Sequence, residues 1–348
     1  MKFDLFNPNK LLAHYRTMVD IIEGWKTLPV TVSIDPSSKC NQFCTYCSGK
    51  GYVNTHGEML SRELLTRLPE ELAGLGIGAV YFTGGGEPLC NPHMASTIDE
   101  FLTYGIGIGL ITNGMALVGD LPDVLGAHAK FVRISIDAGS PETYERLHGV
   151  KKSTFGMVMR HIKAMVNSKK EYKSDCEIGL SFLIHPRNYM EIREFYTVAQ
   201  ILGVDYVQYK PVTMGRWLTD EISSTIVRNL EICRGEANGS KTRVIANFGR
   251  MRHENKKYVR LYDTCLGHNL IGVIMATGQL NVCCQHRPQK QFAFGDLYTQ
   301  SFEDIWNSKE RKEAVECIDV HKCPTCKYEN YNQMLWTMKN PTPHSSFL

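Results

Sequence analysis

The chain alternates between short apolar runs of period two and longer stretches whose apolar residues recur at helical spacing. "PVTVSID" (29–35) reads as a strand. "SRELLTRLPEELAGLG" (61–76) reads as a helix stopped by glycine, despite Pro69. The same pairing recurs downstream. Strands are expected at "AVYFTGG" (79–85), "IGIGLITNG" (106–114), "KFVRISIDAG" (130–139), "EIGLSFLIHP" (177–186) and "VDYVQYKPV" (204–212). Helices are expected at "HMASTIDEFLTYG" (93–105), "STFGMVMRHIKAMVNSK" (153–169) and "YMEIREFYTVAQILG" (189–203), with an amphipathic stretch at 8–24 before the first strand. Six β-rich runs alternating with helices imply a parallel sheet with right-handed crossovers. The loops after its strands then gather on one rim, where chemistry sits.

The alternation stops near residue 212. A polar helical stretch follows, then a cysteine-rich region and the tail "NPTPHSSFL", whose composition reads as disordered. These shifts divide the chain into an N-terminal helical segment (1–28), an α/β body (29–220), a small cysteine-rich extension (221–338) and a flexible tail (339–348).

Composition narrows the class. Of 348 residues, 39 are lysine or arginine and 36 are acidic, so the formal charge of +3 leaves no electrostatic footprint for nucleic acid. No apolar run is long enough to cross a bilayer, and "MKFDLFNPNK" has no apolar signal region, so a cytoplasmic protein is expected. Twelve cysteines in a reducing compartment point to metal or redox work rather than disulfides. Cys90, Cys176 and Cys233 are scattered and read as small apolar filler, Cys90 also as a hydrogen donor. The others form two groups.

The first group is "SSKCNQFCTYC" (37–47), with Cys40, Cys44 and Cys47 in the loop after the first expected strand. Structural zinc wants a closed tetrahedron, usually from paired knuckles, and C-x3-C-x2-C does not supply one. Three thiolates on an iron–sulfur cubane leave one iron open. With "TGGGEP" (83–88) after the second strand, "ITNG" (111–114) after the third and "SIDAG" (135–139) after the fourth, the chain resembles the radical S-adenosylmethionine (SAM) superfamily from about residue 29 to 212. The resemblance implies an open, partial (β/α)6 barrel. It implies that Cys40, Cys44 and Cys47 hold a four-iron four-sulfur cluster whose fourth iron binds the methionyl amine and carboxylate of SAM. It places Tyr46 near the adenine, Gly84, Gly85, Gly86 and Glu87 at the methionyl ammonium, and Asn113, Ser135 and Asp137 at the ribose and methionyl groups. Ordinary turn and cap chemistry is the alternative for those last three.

The second group opens with Cys265 and Cys283, spaced C-x12-G-x4-C around Gly278, within an expected hairpin "GVIMATGQLNV" (272–282). "FGDLYTQSFEDIWNS" (294–308) and Cys323-x2-Cys326 follow. This resembles the C-terminal extensions called SPASM and twitch domains. Too few cysteines remain for two full sets, so the resemblance implies one auxiliary iron–sulfur cluster on Cys265, Cys283, Cys323 and Cys326. A structural zinc site on the same four is the alternative. Cys284 neighbours Cys283 on the opposite strand face. Cys317 is open between ligand, hydrogen donor and filler.

The implied enzyme reductively cleaves SAM to a 5′-deoxyadenosyl radical, fed by a low-potential donor such as flavodoxin or ferredoxin. That radical takes hydrogen from a small polar metabolite, sugar- or aminocyclitol-like, leading to oxidation or rearrangement. A peptide to be crosslinked or epimerised is the second substrate class. The lack of a domain-sized segment before Cys40 tilts toward the metabolite. A non-enzymatic iron–sulfur or zinc protein would not need "GGGEP". His185, Lys210, Arg216 and Cys90, at or beyond strand ends, are the candidates for handling substrate protons or hydrogen.

Overall fold

The computed structural model describes residues 7–212, 218–246, 260–287, 289–324, 326–341 and 343. Ten strands form one sheet: β1 (Thr31–Ile34), β2 (Ala79–Phe82), β3 (Gly107–Thr112), β4 (Phe131–Ser135), β5 (Glu177–Ile184), β6 (Tyr206–Pro211), β7 (Arg243–Ala246), β8 (Ile271–Ile274), β9 (Leu280–Asn281) and β10 (Ala293–Phe294). Their order is β10-β9-β8-β1-β2-β3-β4-β5-β6-β7. Pairing is parallel from β8 through β1 to β7 and antiparallel only in β8–β9 and β9–β10. Among the described residues the two edges, β7 and β10, do not pair, so the barrel is open, as expected.

Alternation along the strands builds the walls. Val32, Ile34, Val80, Phe82, Ile108, Leu110, Val132, Ile134, Ile178 and Leu180 are buried against the helical layer. Each such side chain contributes about 1.5–3 kcal/mol. That layer includes α2 (Arg62–Gly74), α3 (Met94–Thr103), α6 (Ser153–Glu171) and α7 (Ile192–Leu202). Ser61 caps α2 with its hydroxyl, and Pro69 lies inside that helix. The opposite face of β4 and β6 carries Arg133, Ser135, Gln208 and Lys210 toward the lumen.

The structure adds elements that the periodicity did not reveal. Helices Leu121–His128 and Pro141–His148 have eight residues each, too few for a clear period. Pro141–His148 is set by local chemistry: a Ser140 cap, proline at the first turn, and Gly149 at φ 64° closing the end. The alternation also continues past residue 212. Helix Asp220–Ala237 packs on α7 and leads into β7, parallel to β6. The sheet therefore does not break at residue 221.

The cysteine-rich region is tied to the barrel by backbone pairing. Strand β8 lies parallel to β1, with Ser33 opposite Val273. The expected turn is present, with Gly278 at φ 86°. The N-terminal segment (a 3-10 turn Pro8–His14, then helix Tyr15–Glu23) packs on this region: Leu11, Met18 and Ile21 share a core with Leu266, Leu270 and Leu335. Most of the tail, like Arg216, lies outside the described residues.

Candidate active site

Cys40, Cys44 and Cys47 sit in the loop leaving β1, free and partly exposed. Asn91 pins the two ends of this loop by donating to the carbonyls of Pro36 and Leu60, both at 2.9 Å. Asn54 clasps Cys40 by accepting from its N–H (2.8 Å) and donating to its carbonyl (3.2 Å). Burial pushes the Cys40 thiol up to about 11 and raises that of Cys44 further. A bound cation reverses this, since a coordinating thiol is deprotonated outright.

The glycine motif works first as a packing surface. A side chain on Gly86 would overlap the Lys39 carbonyl and the Ser37–Ser38 backbone, so only glycine lets the cysteine loop lie against this turn. The Glu87 N–H completes the contact by donating to the Lys39 carbonyl at 2.8 Å. The Glu87 carboxylate also has partners within the fold. It is 3% exposed, Oε1 accepts from Thr112 Oγ1 (2.6 Å) and Leu89 N (3.1 Å), and Oε2 accepts from Asn113 N (2.7 Å). Its carboxylate thus fastens the end of β3 beneath the cysteine loop, and burial raises its pKa. Glu87→Gln would turn an amide donor toward one of these donors, costing about 1–3 kcal/mol of stability. A lowered urea midpoint is expected; an unchanged midpoint with weakened cofactor binding would restore the purely ammonium-binding role.

Asn113 donates to Asn41 Oδ1 (2.6 Å) and lies 3.9 Å from Cys40 Sγ, so it too braces the loop. Asp137, like Glu87, is held by groups within the fold. At φ 55° and 2% exposed, it accepts from Tyr46 Oη (2.7 Å) and from Leu183 N (2.6 Å). The left-handed turn aims its carboxylate back into the barrel wall, so it locks Tyr46, β4 and β5 together. Burial raises it to about 6. Ser135 remains partly exposed on the inner face of β4.

His148 is a site residue that the sequence did not signal. Its Nε2 lies 2.8 Å from the Ile136 carbonyl, which can only accept, so Nε2 carries the proton. Nδ1 then faces Cys44 Sγ at 3.1 Å. Burial lowers this imidazole to about 4. Of the expected proton handlers, His185 follows β5 with its ring 5.7 Å from Tyr46, and Lys210 is partly exposed near the end of β6. Cys90 is partly buried, and burial raises its thiol pKa.

The second group also converges. Cys265, Cys283, Cys323 and Cys326 line one cavity together with His268, His286 and Asn332. Asn332 Oδ1 accepts from Leu266 and Gly267 N–H at 2.8 Å each, which shapes the turn after Cys265. His286 Nε2 lies 3.4 Å from Cys323 Sγ. Cys284 is buried outside the cavity lining and Cys317 is exposed. Among the described residues no three His, Cys, Asp or Glu converge closely enough to hold a single metal ion. Four soft thiols surrounding a cavity fit a cluster.

Two contacts join the groups. Arg287 donates to both oxygens of fully buried Asp35, which ends β1; the Nη2–Oδ1 bond is 2.7 Å. Tyr328 donates its N–H to Cys326 Sγ at 3.3 Å, and its hydroxyl meets that of Tyr81 on β2 at 3.1 Å.

Comparison with known proteins agrees with this layout. The Radical SAM superfamily model matches residues 34–198, and the SPASM iron–sulfur cluster-binding domain model matches residues 265–328. The chain carries a radical SAM domain followed by a SPASM domain. Its radical SAM domain binds SAM and a four-iron four-sulfur cluster, and its SPASM domain binds auxiliary iron–sulfur clusters. The AdoMet-dependent heme synthase of Methanosarcina barkeri (strain Fusaro / DSM 804) is 24% identical over 323 residues, covering 86% of this chain and 89% of that protein. The dTDP-4-amino-4,6-dideoxy-D-glucose ammonia-lyase of Streptomyces venezuelae is 28% identical over 168 residues, covering 45% of this chain and 33% of the lyase. Among solved structures, Streptococcus suis SuiB bound to the precursor peptide SuiA has a TM-score of 0.65 at 14% identity, covering 91% of this chain and 74% of SuiB. Native anSMEcpe with bound AdoMet has a TM-score of 0.59 at 18% identity, covering 82% and 83%. These structures show a shared radical SAM fold. No described helix is long and apolar enough to cross a membrane.

Proposed function

We propose that this radical SAM enzyme oxidises or rearranges a small polar metabolite and that its auxiliary site receives the electron released or holds the substrate. In this reading Cys40, Cys44 and Cys47 hold the SAM-binding cluster, and Cys265, Cys283, Cys323 and Cys326 hold a single auxiliary one. The bound cluster and SAM supply a radical that takes hydrogen from carbon. The protein's part is to fix the cysteine loop through Gly86, Asn91 and Asn113, and to frame SAM with Gly84, Gly85, Tyr46 and Ser135. A low-potential donor such as flavodoxin or ferredoxin would feed the first cluster.

The observation that carries the reading is the Tyr81–Tyr328 contact, since it joins a barrel strand to a residue bonded to Cys326 Sγ. The ammonia-lyase's amino sugar supports the substrate class. A peptide substrate is the second reading, supported by the PqqA peptide cyclase of Gluconobacter oxydans (strain 621H), 25% identical over 181 residues.

Anaerobic incubation with reductant, SAM and either amino sugars or peptides tests both readings by coupling 5′-deoxyadenosine to substrate loss. The Cys323→Ala, Cys326→Ala pair should still cleave SAM slowly but form no product, because reductive cleavage needs an open iron and a four-thiolate site offers none. Circular dichroism must show the pair folded, since losing metal ligands can unfold such a domain. Normal product from a folded pair would leave the auxiliary site without a chemical role.

A further inference from the structure

Arg133 stands inside the barrel with no carboxylate in direct ion-pair contact among the described residues. Val132 and Ile134 point to the helical layer, so Arg133 points to the lumen, two residues below Ser135. Its register partner on β5 is Gly179, and the guanidinium reaches past this glycine to Gln208 on β6, with Nη1 donating to Oε1 at 3.2 Å. The Tyr206 ring fills the space where a Gly179 side chain would sit. That hydrogen bond uses one of five N–H donors.

The acids nearby are engaged elsewhere. Glu177, two residues below Gly179, is paired with Arg243. Asp137 is hydrogen-bonded to Tyr46 and Leu183, and only its charge, not a hydrogen bond, reaches Arg133. Arg133 is partly buried, and that burial lowers its pKa against the opposing pull of Tyr206, Tyr81 and Asp137. A buried cation is costly unless paired, and guanidinium matches carboxylate and phosphate oxygens in a two-pronged fork.

We propose that Arg133, with Gln208 beside it, anchors an oxyanion on the substrate, a carboxylate or phosphate, in the lumen below SAM. This rests on the metabolite reading and makes that metabolite anionic. The depth argues for substrate rather than cofactor: two residues of strand place Arg133 about 7 Å below Ser135.

The test uses the full chain, anaerobically reconstituted with iron and sulfide and saturated with SAM. Inorganic phosphate and acetate are titrated by calorimetry into the wild type, Arg133→Lys and Arg133→Gln. One anion per chain is expected for the wild type, with binding weakened about tenfold or more in Arg133→Gln and less in Arg133→Lys. SAM affinity, measured separately, should stay within about twofold in Arg133→Gln. Its melting temperature should match or exceed the wild type's, because a partly buried charge with no direct ion pair is gone. Equal anion binding by all three proteins would overturn the proposal. So would a tenfold-weaker SAM affinity, which would hand the guanidinium to the cofactor's carboxylate. A lower melting temperature would make Arg133 a purely structural residue and would also overturn it. None of these readouts needs radical chemistry, so a wild type that binds phosphate yet never couples SAM cleavage to a metabolite would sink the functional reading alone.

Discussion

Replacing Cys40, Cys44 and Cys47 together by alanine is expected to abolish 5′-deoxyadenosine formation and to leave the auxiliary iron in place. Two four-iron sites give about eight irons per chain, so the triple variant should retain about four. The separation follows from the fold. The first three cysteines occupy one loop held by Asn54, Asn91 and Asn113. The other four line a cavity built from β8, β9 and the C-terminal turns. Removing thiols from the loop leaves the Asn332 bonds that shape the turn after Cys265 untouched. Iron analysis with chromatography of the nucleoside products reads both numbers. Residual 5′-deoxyadenosine above the level without enzyme would displace these cysteines from the radical-forming site. About twelve irons in the wild type, or zinc at the second site, would overturn the single auxiliary cluster.

The second large effect is expected at the Asp35–Arg287 pair. Asp35→Ala leaves a guanidinium that is 11% exposed with the Cys284 carbonyl, at 2.7 Å, as its remaining acceptor among the described residues. Breaking a buried ion pair from one side costs about 3–5 kcal/mol. The loss should also reach the clusters, because Asp35 precedes the first cysteine loop and Arg287 follows Cys283. A lower urea midpoint and reduced iron per chain are therefore expected together. The Asp35→Leu, Arg287→Met double variant controls for charge: with both ions removed, much of the stability should return. Asp35→Ala with an unchanged midpoint would show that the pair does not join the two regions.

The two predictions differ in how visible they were from sequence. The cysteine spacings, the glycine turn after the second strand and the strand–helix rhythm are local, so the chain displays them directly. Asp35 and Arg287 lie 252 positions apart, and no periodicity relates them. The same holds for Tyr81 with Tyr328, 247 apart, and Gln42 with Tyr144, 102 apart. A charged residue inside an otherwise apolar strand was the one available signal for Arg133. Alternation alone reads such a residue as facing solvent, and it faces the lumen because the parallel sheet curls.

Sequence by itself determined the β/α rhythm, the radical SAM and SPASM signatures and the seven cysteines to test as ligands, since these depend on residues close along the chain. Tertiary structure decided what those residues do. The motifs mark Glu87 and Asp137 as cofactor positions, and the fold adds that buried N–H and hydroxyl donors reach their carboxylates and so tie the surrounding loops and strands together. It also decided that β8 joins β1 in the barrel sheet and that His148 faces Cys44. Backbone pairing and buried polar contacts are chosen by the whole packed sheet, after the local elements have formed.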